Sequence, residues 1–410
     1  MKKIFIFILT ILFFLFSFSY IYTIKRDKSI ASYISEVKSH YNKYAKTTDD
    51  TPIYKIVNGE YTLFGTIGKN NEIELADTEI DRNTEFFNIQ NTEYYVVYRT
   101  IEPIESLTKT SDRYKRYIPF NENIVTNEQT TFIDENGNFI TYNQSYDLPI
   151  IIKDTERYGV EFNNKLYYVK SSNVVKTYQH ENSKEIKKTK IRTLTYHFLY
   201  DKSATKCNEE ICLEADQLEE QLKYLHDNNF LTLRLPELEM FIDGKINIPM
   251  NSVVLTIDDG TVVSKKAISL FEKYQEYATI FVVTSFVKDL TTLKSDYIDL
   301  ESHSDNMHNQ YECIGKGLQG GAILCKSEEY ILNDLKTCQE KLGGSVYFAY
   351  PFFDFDNRAI SILKKAGYHM AFIGQYYTEG LSWPGFNKYT IPRITILNST
   401  TMDDYRNLFK

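Results

Sequence analysis

Two adjacent carboxylates end the run Val253–Gly260, which reads VVLTIDDG. The apolar and β-branched residues of this run predict a buried strand, and glycine permits a sharp turn after it. Folds that alternate strands and helices place their chemistry where such strands end. Asp-Gly is also a common turn pair, so Asp258 and Asp259 alone fit a turn as well as a site.

Two histidines follow Asp259 in the segment LESHSDNMH, at His303 and His308. One carboxylate oxygen and two imidazole nitrogens form a donor set for a divalent metal, and three protein ligands leave positions open for catalysis. Residues five apart diverge by about 140° around a helix, so a shared ion requires a loop or an opened turn. Either histidine alone is ordinarily a surface or core residue, but the pair close together in the chain favours a site.

The elements that must position these residues alternate between strands and helices from residue 191 onward. Predicted strands cover 192–199, 230–233, 278–283 and 346–350, and predicted helices include 214–229, 264–277, 327–342 and 356–366. This alternation is typical of a (β/α) barrel or of a doubly wound sheet.

Three motifs resemble those of the polysaccharide deacetylases, the NodB-homology group of carbohydrate esterase family 4. They are Thr256–Gly260 (TIDDG), His303–His308 (HSDNMH) and Phe348–Phe352 (FAYPF). Leu194–His197 (LTYH) and the five-residue histidine spacing are most similar to the subgroup that de-N-acetylates poly-β-1,6-N-acetylglucosamine. The resemblance covers about residues 191–400. It implies a deformed (β/α) barrel and hydrolysis of N-acetyl groups on poly-N-acetylglucosamine or peptidoglycan.

The resemblance also implies roles for individual residues. Asp258 corresponds to the general base. Asp259, His303 and His308 correspond to the ligands of a divalent cation, for which zinc is the first choice and cobalt, nickel or iron are alternatives.

The general acid is expected at His197. Most of the family carries a late Leu-x-His motif, but Ile394–Asn398 contains no histidine. In the poly-N-acetylglucosamine subgroup the order of the motifs along the chain is permuted, and the general acid lies in a Tyr-His pair near the start of the domain. His197 matches the histidine of that pair. An ordinary strand residue is the other interpretation of His197, and His369 is a weaker candidate for the acid.

The substrate and oxyanion loop of the family corresponds to Tyr350, Pro351 and Phe352. Phe353 follows where the family has glycine, so a narrowed pocket or a changed turn is expected there. Two alternatives to the N-deacetylase therefore stay open. One is a catalytically weak protein that binds cell wall or matrix, and the other is an O-acetyl esterase on the same scaffold.

The chain has five cysteines. Cys207 with Cys212, and Cys313 with Cys325, form plausible local disulfides in loop-like stretches, and Cys338 is left over. Gly315–Gly321 (GKGLQGG) lacks the Lys-Ser/Thr of a phosphate-binding loop and is interpreted as a flexible insertion beside the site.

The N-terminus predicts membrane attachment. Ile4–Ile24 is uncharged and almost wholly apolar, and in a helix its 21 residues span about 30 Å, the thickness of a bilayer core. We expect a signal anchor over 1–28 and a stalk over 29–50. The catalytic domain of this single-pass membrane protein would be extracellular, or secreted if the segment is a cleaved signal peptide.

The region 51–180 shows short alternating strands separated by Asn-Gly and similar turns, which predicts all-β architecture. It resembles the SH3-like modules of bacterial cell-wall proteins, and it is interpreted either as a wall- or glycan-binding region or as a spacer. A polar linker over 181–190 precedes the deacetylase domain over 191–410. The net charge of −8, and the lack of a basic stretch with interleaved aromatics after the N-terminus, argue against nucleic acid as a partner.

Overall fold

The computed structural model describes residues 43–76, 85–180, 190–374 and 380–410, together with scattered residues between 23 and 41. The predicted signal anchor therefore lies almost entirely outside the described residues, as does the predicted linker except for Lys190. Among the helices that are described, none combines the length and the apolar character needed to cross a bilayer.

The chain divides into two compact units. The first comprises Met1–Tyr114 and Asn121–His180, and the second comprises Lys115–Phe120 and Glu181–Lys410. The short segment 115–120 thus groups with the barrel and not with the β-rich region in which we predicted it. The Ile118 amide donates to the Asn247 carbonyl over 3.0 Å, which ties this segment to the second unit.

The first unit consists of short antiparallel strands. Its strands are β1 (Tyr44–Thr47), β2 (Thr51–Val57), β3 (Glu60–Ile67), β4 (Glu72–Glu74), β5 (Phe86–Asn88), β6 (Tyr94–Val97), β7 (Ile101–Ile104), β8 (Glu122–Thr126), β9 (Thr130–Ile133), β10 (Phe139–Tyr142), β11 (Asp147–Pro149), β12 (Ile152–Lys153), β13 (Arg157–Phe162), β14 (Lys165–Lys170) and β15 (Val174–Gln179). They form three sheets, ordered β4-β1-β7, β12-β13-β14-β9-β10-β3-β2-β6-β5 and β11-β8-β15. β1 lies within the segment 29–50 that we predicted as a stalk. This part of the segment belongs instead to a sheet, because the β1 backbone pairs with both β4 and β7.

The second unit alternates strands and helices. Its strands are β16 (Ile191–Tyr196), β17 (Phe198–Tyr200), β18 (Cys212–Glu214), β19 (Leu231–Thr232), β20 (Ser252–Asp259), β21 (Ala278–Val282), β22 (Ile298–Ser302), β23 (Tyr347–Ala349), β24 (Met370–Gly374), β25 (Leu381–Ser382) and β26 (Ile391–Thr395). Its helices are α1 (Ala215–Asp227), α2 (Leu235–Ile242), α3 (Lys265–Tyr274), α4 (Glu328–Leu342), α5 (Asn357–Lys365) and α6 (Met402–Asn407).

Seven parallel strands close into a barrel in the order β20-β21-β22-β23-β24-β26-β16. Closure follows because β16 pairs in parallel with both β26 and β20. The barrel that we predicted is therefore confirmed, and the doubly wound sheet is excluded. The structure also divides the single strand predicted over 192–199 into β16 and β17, with His197 between them.

Local signals explain where the helices begin, end and pack. The Ser327 hydroxyl accepts the Tyr330 amide over 3.2 Å at the start of α4, and Gly343 ends that helix at φ 78°. The apolar stripe of α1, formed by Leu218, Leu222 and Leu225, is fully buried in the core against β20 and α3. Both ends of α4 agree with the helix predicted over 327–342.

Candidate metal and catalytic site

Residues near the carboxyl ends of the barrel strands provide the candidate site. Because the strands are parallel, these ends lie at one rim of the barrel. Asp259 ends β20, and His197, His303 and Tyr350 follow directly after β16, β22 and β23. The fold therefore collects residues that are far apart in the chain at a single rim.

Asp259, His303 and His308 form a cluster suited to one metal ion, with one donor atom of each lying within 4.8 Å of the others. Oδ1 of Asp259 is 3.0 Å from Nε2 of His308 and 3.5 Å from Nε2 of His303. The backbone of Asp259 adopts a left-handed conformation with φ 70°. Burial alone raises the pKa of Asp259, but His308 and His303 lower it to about 2, so the carboxylate is anionic at neutral pH.

His303 is held in the orientation that a metal ligand needs. Its Nδ1 lies 2.8 Å from the carbonyl oxygen of Ala349, at the end of β23. When Nδ1 carries the proton and donates a hydrogen bond to that oxygen, Nε2 is unprotonated. Its lone pair is then directed toward Asp259. Burial lowers the pKa of His303 to about 4, so the ring is neutral at neutral pH, as coordination requires.

The segment between the two histidines is not helical, as their spacing predicted. Two consecutive amides of this segment, from Asp305 and Asn306, donate to the Asp334 carboxylate on α4, each over 2.8 Å. Burial raises the pKa of Asp334. We did not identify this anchor from the sequence, because Asp334 reads as one more polar residue of an amphipathic helix.

Asp258 differs from its neighbour in being paired with a buried arginine. Its Oδ1 and Oδ2 accept from Nη1 and Nη2 of Arg393, over 2.6 and 2.7 Å. Burial by itself raises the pKa of Asp258, but Arg393, with His303 and His197 adding to its effect, lowers it overall. The two adjacent carboxylates therefore have different environments, one in a bidentate ion pair and one among imidazoles.

Arg393 lies inside the barrel and is completely buried. Its guanidinium carbon is 5.5 Å from the ring centre of Phe281, 6.0 Å from that of Phe372 and 5.4 Å from that of Phe353. We did not identify the pairing of Arg393 with Asp258 from the sequence. The available signal was a charged residue inside the apolar strand IPRITI, since a fully buried arginine is rare unless it is paired.

Replacing this arginine is expected to destabilise the second unit. Arg393→Met leaves the buried Asp258 anion without its partner, which costs about 3 to 5 kcal/mol for a broken internal ion pair. Urea unfolding can be followed by the fluorescence of Trp383, the only tryptophan of the chain. Arg406→Met is the control, because Arg406 pairs with Asp403 at the surface and its loss costs less than about 1 kcal/mol. Equal shifts in the two variants would contradict the assigned role of Arg393.

His197 lies at the same rim, and the other candidate acid does not. Nε2 of His197 is 3.9 Å from Oδ2 of Asp258, and its ring lines the cleft over the metal donors. Its Nδ1 is buried and has no hydrogen-bond partner among the described residues. His369 instead lies outside this cleft, with Nδ1 3.2 Å from the Glu239 carboxylate.

The predicted substrate loop reaches the cleft only in part. Tyr350 and Pro351 are buried, and the Tyr350 ring packs against Phe348 and Phe355. Their side chains are core residues and do not line the cleft. Phe352 does line the cleft, with its ring centre 4.3 Å from that of His308.

Phe353, which stands where the family has glycine, keeps a backbone conformation typical of glycine. Phe352 and Phe353 have φ of 58° and 61°, a region that costs a non-glycine residue about 1 to 3 kcal/mol. The space for the Phe353 ring comes from Gly374, where a Cβ atom would lie 2.7 Å from Cδ2 of Phe353. The turn is thus retained, and the added ring both lines the cleft and packs over Arg393.

Two disulfide-closed loops contribute to the walls of this cleft, which has a volume of about 730 Å³. One disulfide joins Cys207 to Cys212, and Glu209 and Ile211 between them line the cleft. The other joins Cys313 to Cys325, and the fifth cysteine, Cys338, is free and buried.

The donor set fits a divalent metal ion on two grounds. Oδ1 of Asp259 is buried and accepts no well-formed hydrogen bond within the described part of the chain, although His308 Nε2 lies close to it. The second ground is His303, whose Nδ1 contact fixes the ring as in metal-bound histidines. One oxygen and two nitrogens suit zinc, cobalt, nickel or iron, and no feature of the site selects one of them.

Comparison with known proteins agrees with the site. The polysaccharide deacetylase family matches residues 245–371, a range that contains Asp258, Asp259 and both ligand histidines but not His197 or Arg393. No curated protein matches the sequence.

Among solved structures, similarity extends to IcaB from Ammonifex degensii at 19% identity and a TM-score of 0.45, covering 54% of this chain and 96% of that one. A de-N-acetylase from Aggregatibacter actinomycetemcomitans is 18% identical with a TM-score of 0.47, covering 53% of this chain and 99% of that one. The putative polysaccharide deacetylase BA0330 from Bacillus anthracis is 17% identical with a TM-score of 0.46, covering 88% of this chain and 100% of that one. The family match, on a closed parallel barrel whose rim carries these residues, identifies a polysaccharide deacetylase domain of the NodB-homology type within the second unit.

Proposed function

We propose that this deacetylase hydrolyses N-acetyl groups of N-acetylglucosamine in a cell-surface polysaccharide, poly-N-acetylglucosamine or peptidoglycan, and that it needs a divalent cation. One observation carries the proposal: a carboxylate fixed by Arg393 lies directly beside the Asp259, His303 and His308 donors in an open cleft. Amide hydrolysis requires a base next to an activated water molecule, and this arrangement places the base there.

Asp259, His303 and His308 would hold the cation. When bound there, the cation would lower the pKa of a water molecule and polarise the acetyl carbonyl group. The chain supplies the proton transfers. Asp258 is the proposed base, because its lowered pKa keeps it anionic at neutral pH and its pairing with Arg393 holds it in place.

His197 is the proposed acid that gives a proton to the leaving amine. It lines the cleft on the side of Asp258, and its Nε2 is 3.9 Å from Oδ2 of that residue. We expect His197→Ala to lower kcat on an acetylated glucosamine oligomer by about 100-fold, the lower part of the range for a lost general acid. His369→Ala serves as a matched control because that histidine lies outside the cleft. A near-normal rate for His197→Ala would show that the acid lies elsewhere.

Acetate release by the purified chain, loaded with Zn²⁺ or Co²⁺, tests the activity itself. Substrates are β-1,6- and β-1,4-linked N-acetylglucosamine oligomers, peptidoglycan and an O-acetylated sugar. We expect acetate from at least one of the N-acetylated polymers. Acetate from the O-acetylated sugar alone would instead establish the esterase.

A second candidate function is that of a matrix- or wall-binding protein with little activity. The observation that favours it is Phe353, whose ring occupies part of the cleft wall where the family has only a glycine. Oligomer binding without acetate release, under all metal conditions, would support this alternative.

We further propose an extracellular position at the cell membrane, with the β-rich unit in contact with the cell wall. The support is the apolar segment Ile4–Ile24 together with two disulfides, which persist mainly in oxidising compartments. Digestion of intact cells with an added protease should degrade the barrel unit. Full protection of that unit would contradict the proposed location.

A further inference from the structure

The loop closed by Cys313 and Cys325 lies beside the reacting centre. We refer to residues 313–325 as the Cys313–Cys325 loop. Its Leu318 and Gln319 line the same cleft as Asp258 and the metal donors. Leu318 is 50% exposed, which is high for a leucine, and the Gln319 side chain is also exposed.

This loop is anchored by a carboxylate from the segment that follows β23. Asp354 is completely buried, and its two oxygens accept the backbone amides of Leu318, Gln319 (3.1 Å) and Gly321 (2.8 Å). A buried carboxylate is costly unless it is hydrogen-bonded, and these three amides provide that compensation. The insertion is therefore held in place, which differs from the flexible insertion predicted from its glycines.

Further contacts support the same anchoring. At Gly317, where φ is 61°, a Cβ atom would lie 2.2 Å from Oδ1 of Asp354, so glycine is required for this close approach. At the other end of the loop, the Arg358 guanidinium donates to the carbonyl oxygens of Ile323 and Lys326. The disulfide joins the two ends of the loop.

The same short segment also contributes side chains to the cleft wall. Phe352 and Phe353 line the cleft, and Asp354 directly after them binds the loop. The apolar Leu318 side chain and the Gln319 side-chain amide, which has no hydrogen-bond partner among the described residues, are thus held at the cleft beside the reacting groups. An N-acetylated pyranose ring is complementary to such a surface. It has an apolar face and neutral hydroxyl and acetamido groups.

We infer that Leu318 and Gln319 form a binding subsite for the sugar next to the one being deacetylated, and that Asp354 positions them. The ligand class is a neutral, N-acetylated pyranose within a polymer. Leu318 would cover an apolar ring face, and the Gln319 amide, which both donates and accepts, would bind a hydroxyl or acetamido group. The inference rests on the proposed function, because it assigns the subsite to the same substrate.

Substrates of different length distinguish binding at this subsite from the chemical step. Leu318→Ala and Gln319→Ala are expected to raise KM for N-acetylglucosamine pentamers about threefold to tenfold, the effect of losing one ordinary contact. Turnover of a small acetate ester, which is too short to reach the loop, should stay within about twofold. Ile314→Ala is the matched control, because Ile314 is 87% exposed in the same loop and does not line the cleft.

Asp354→Asn tests the positioning role. Loss of the carboxylate is expected to produce the same rise in KM for pentamers, again without a change in ester turnover. If this variant does not fold, Leu318→Ala and Gln319→Ala still decide the subsite, because both side chains are exposed and their loss should not affect folding.

Binding in an Asp258→Asn background gives a readout that needs no turnover. Isothermal titration with β-1,6- and β-1,4-linked pentamers should show Kd about threefold to tenfold higher when Leu318 or Gln319 is truncated. Kd values equal to those of Ile314→Ala for both pentamers would overturn the subsite. A parent chain that binds pentamers but releases no acetate would overturn the proposed function and leave the subsite result standing.

Discussion

Asp258→Asn is expected to lower kcat for acetate release by about a thousandfold, the middle of the range for a general base, while zinc binding is retained. The amide cannot accept the proton, but it keeps the shape of the carboxylate beside Arg393. The proposed metal donors are other residues, so their set remains complete. Acetate release and zinc stoichiometry, measured on the same preparation, check both parts of this expectation.

The adjacent carboxylate provides the matched control. Asp259→Asn is the same chemical change one residue later, and it should weaken zinc binding because Asp259 is the anionic donor of the cluster. Opposite effects on metal content would separate a base from a ligand. If Asp258→Asn lost zinc as completely as Asp259→Asn, the division of roles between the two residues would be wrong.

His303→Ala is expected to lower zinc affinity by at least about 100-fold and to abolish acetate release. Loss of a residue that only supports a metal ligand already lowers metal affinity or activity by about 10- to 100-fold. A larger effect is expected for His303, because it is itself a proposed donor. Chelation of the parent chain should cause the same loss of activity. Added zinc should then restore the parent chain but not the variant.

His226→Ala is the control for this experiment, because His226 is an exposed residue of α1 whose Nδ1 lies 3.0 Å from the Tyr274 carbonyl oxygen. The His226→Ala variant should bind zinc and release acetate as the parent chain does. Unchanged zinc affinity in His303→Ala would show that the ion, if one binds, is held elsewhere.

Much of the site could be predicted because its signals are local. The apolar run before Asp258 and Asp259 predicts a strand end, and two histidines five residues apart can share one ion only if the segment between them is not a regular helix. The structure contains both features. Helix ends such as Ser327 and Gly343 were likewise predictable, because capping depends on residues within one turn.

The residues that were missed act through contacts distant in sequence. Arg393 pairs with Asp258 across 135 positions, and Asp354 binds Leu318 across 36. Around Arg393 and Asp354, the only local signal in the sequence is a charged residue among apolar ones. The core position of Tyr350 also escaped prediction, because its motif specifies the turn and not the direction of each side chain.

The sequence alone determined the donor types, their spacing, the alternation of strands and helices and the candidate disulfide pairs, since each follows from residues close together in the chain. Tertiary structure decided that the strands close into a barrel, that Arg393 pairs with Asp258 beside the candidate metal donors, and that Asp354 fixes the Cys313–Cys325 loop. The physical reason is burial. A charged side chain inside the protein must find its partner wherever the fold places one, and no local pattern specifies that place.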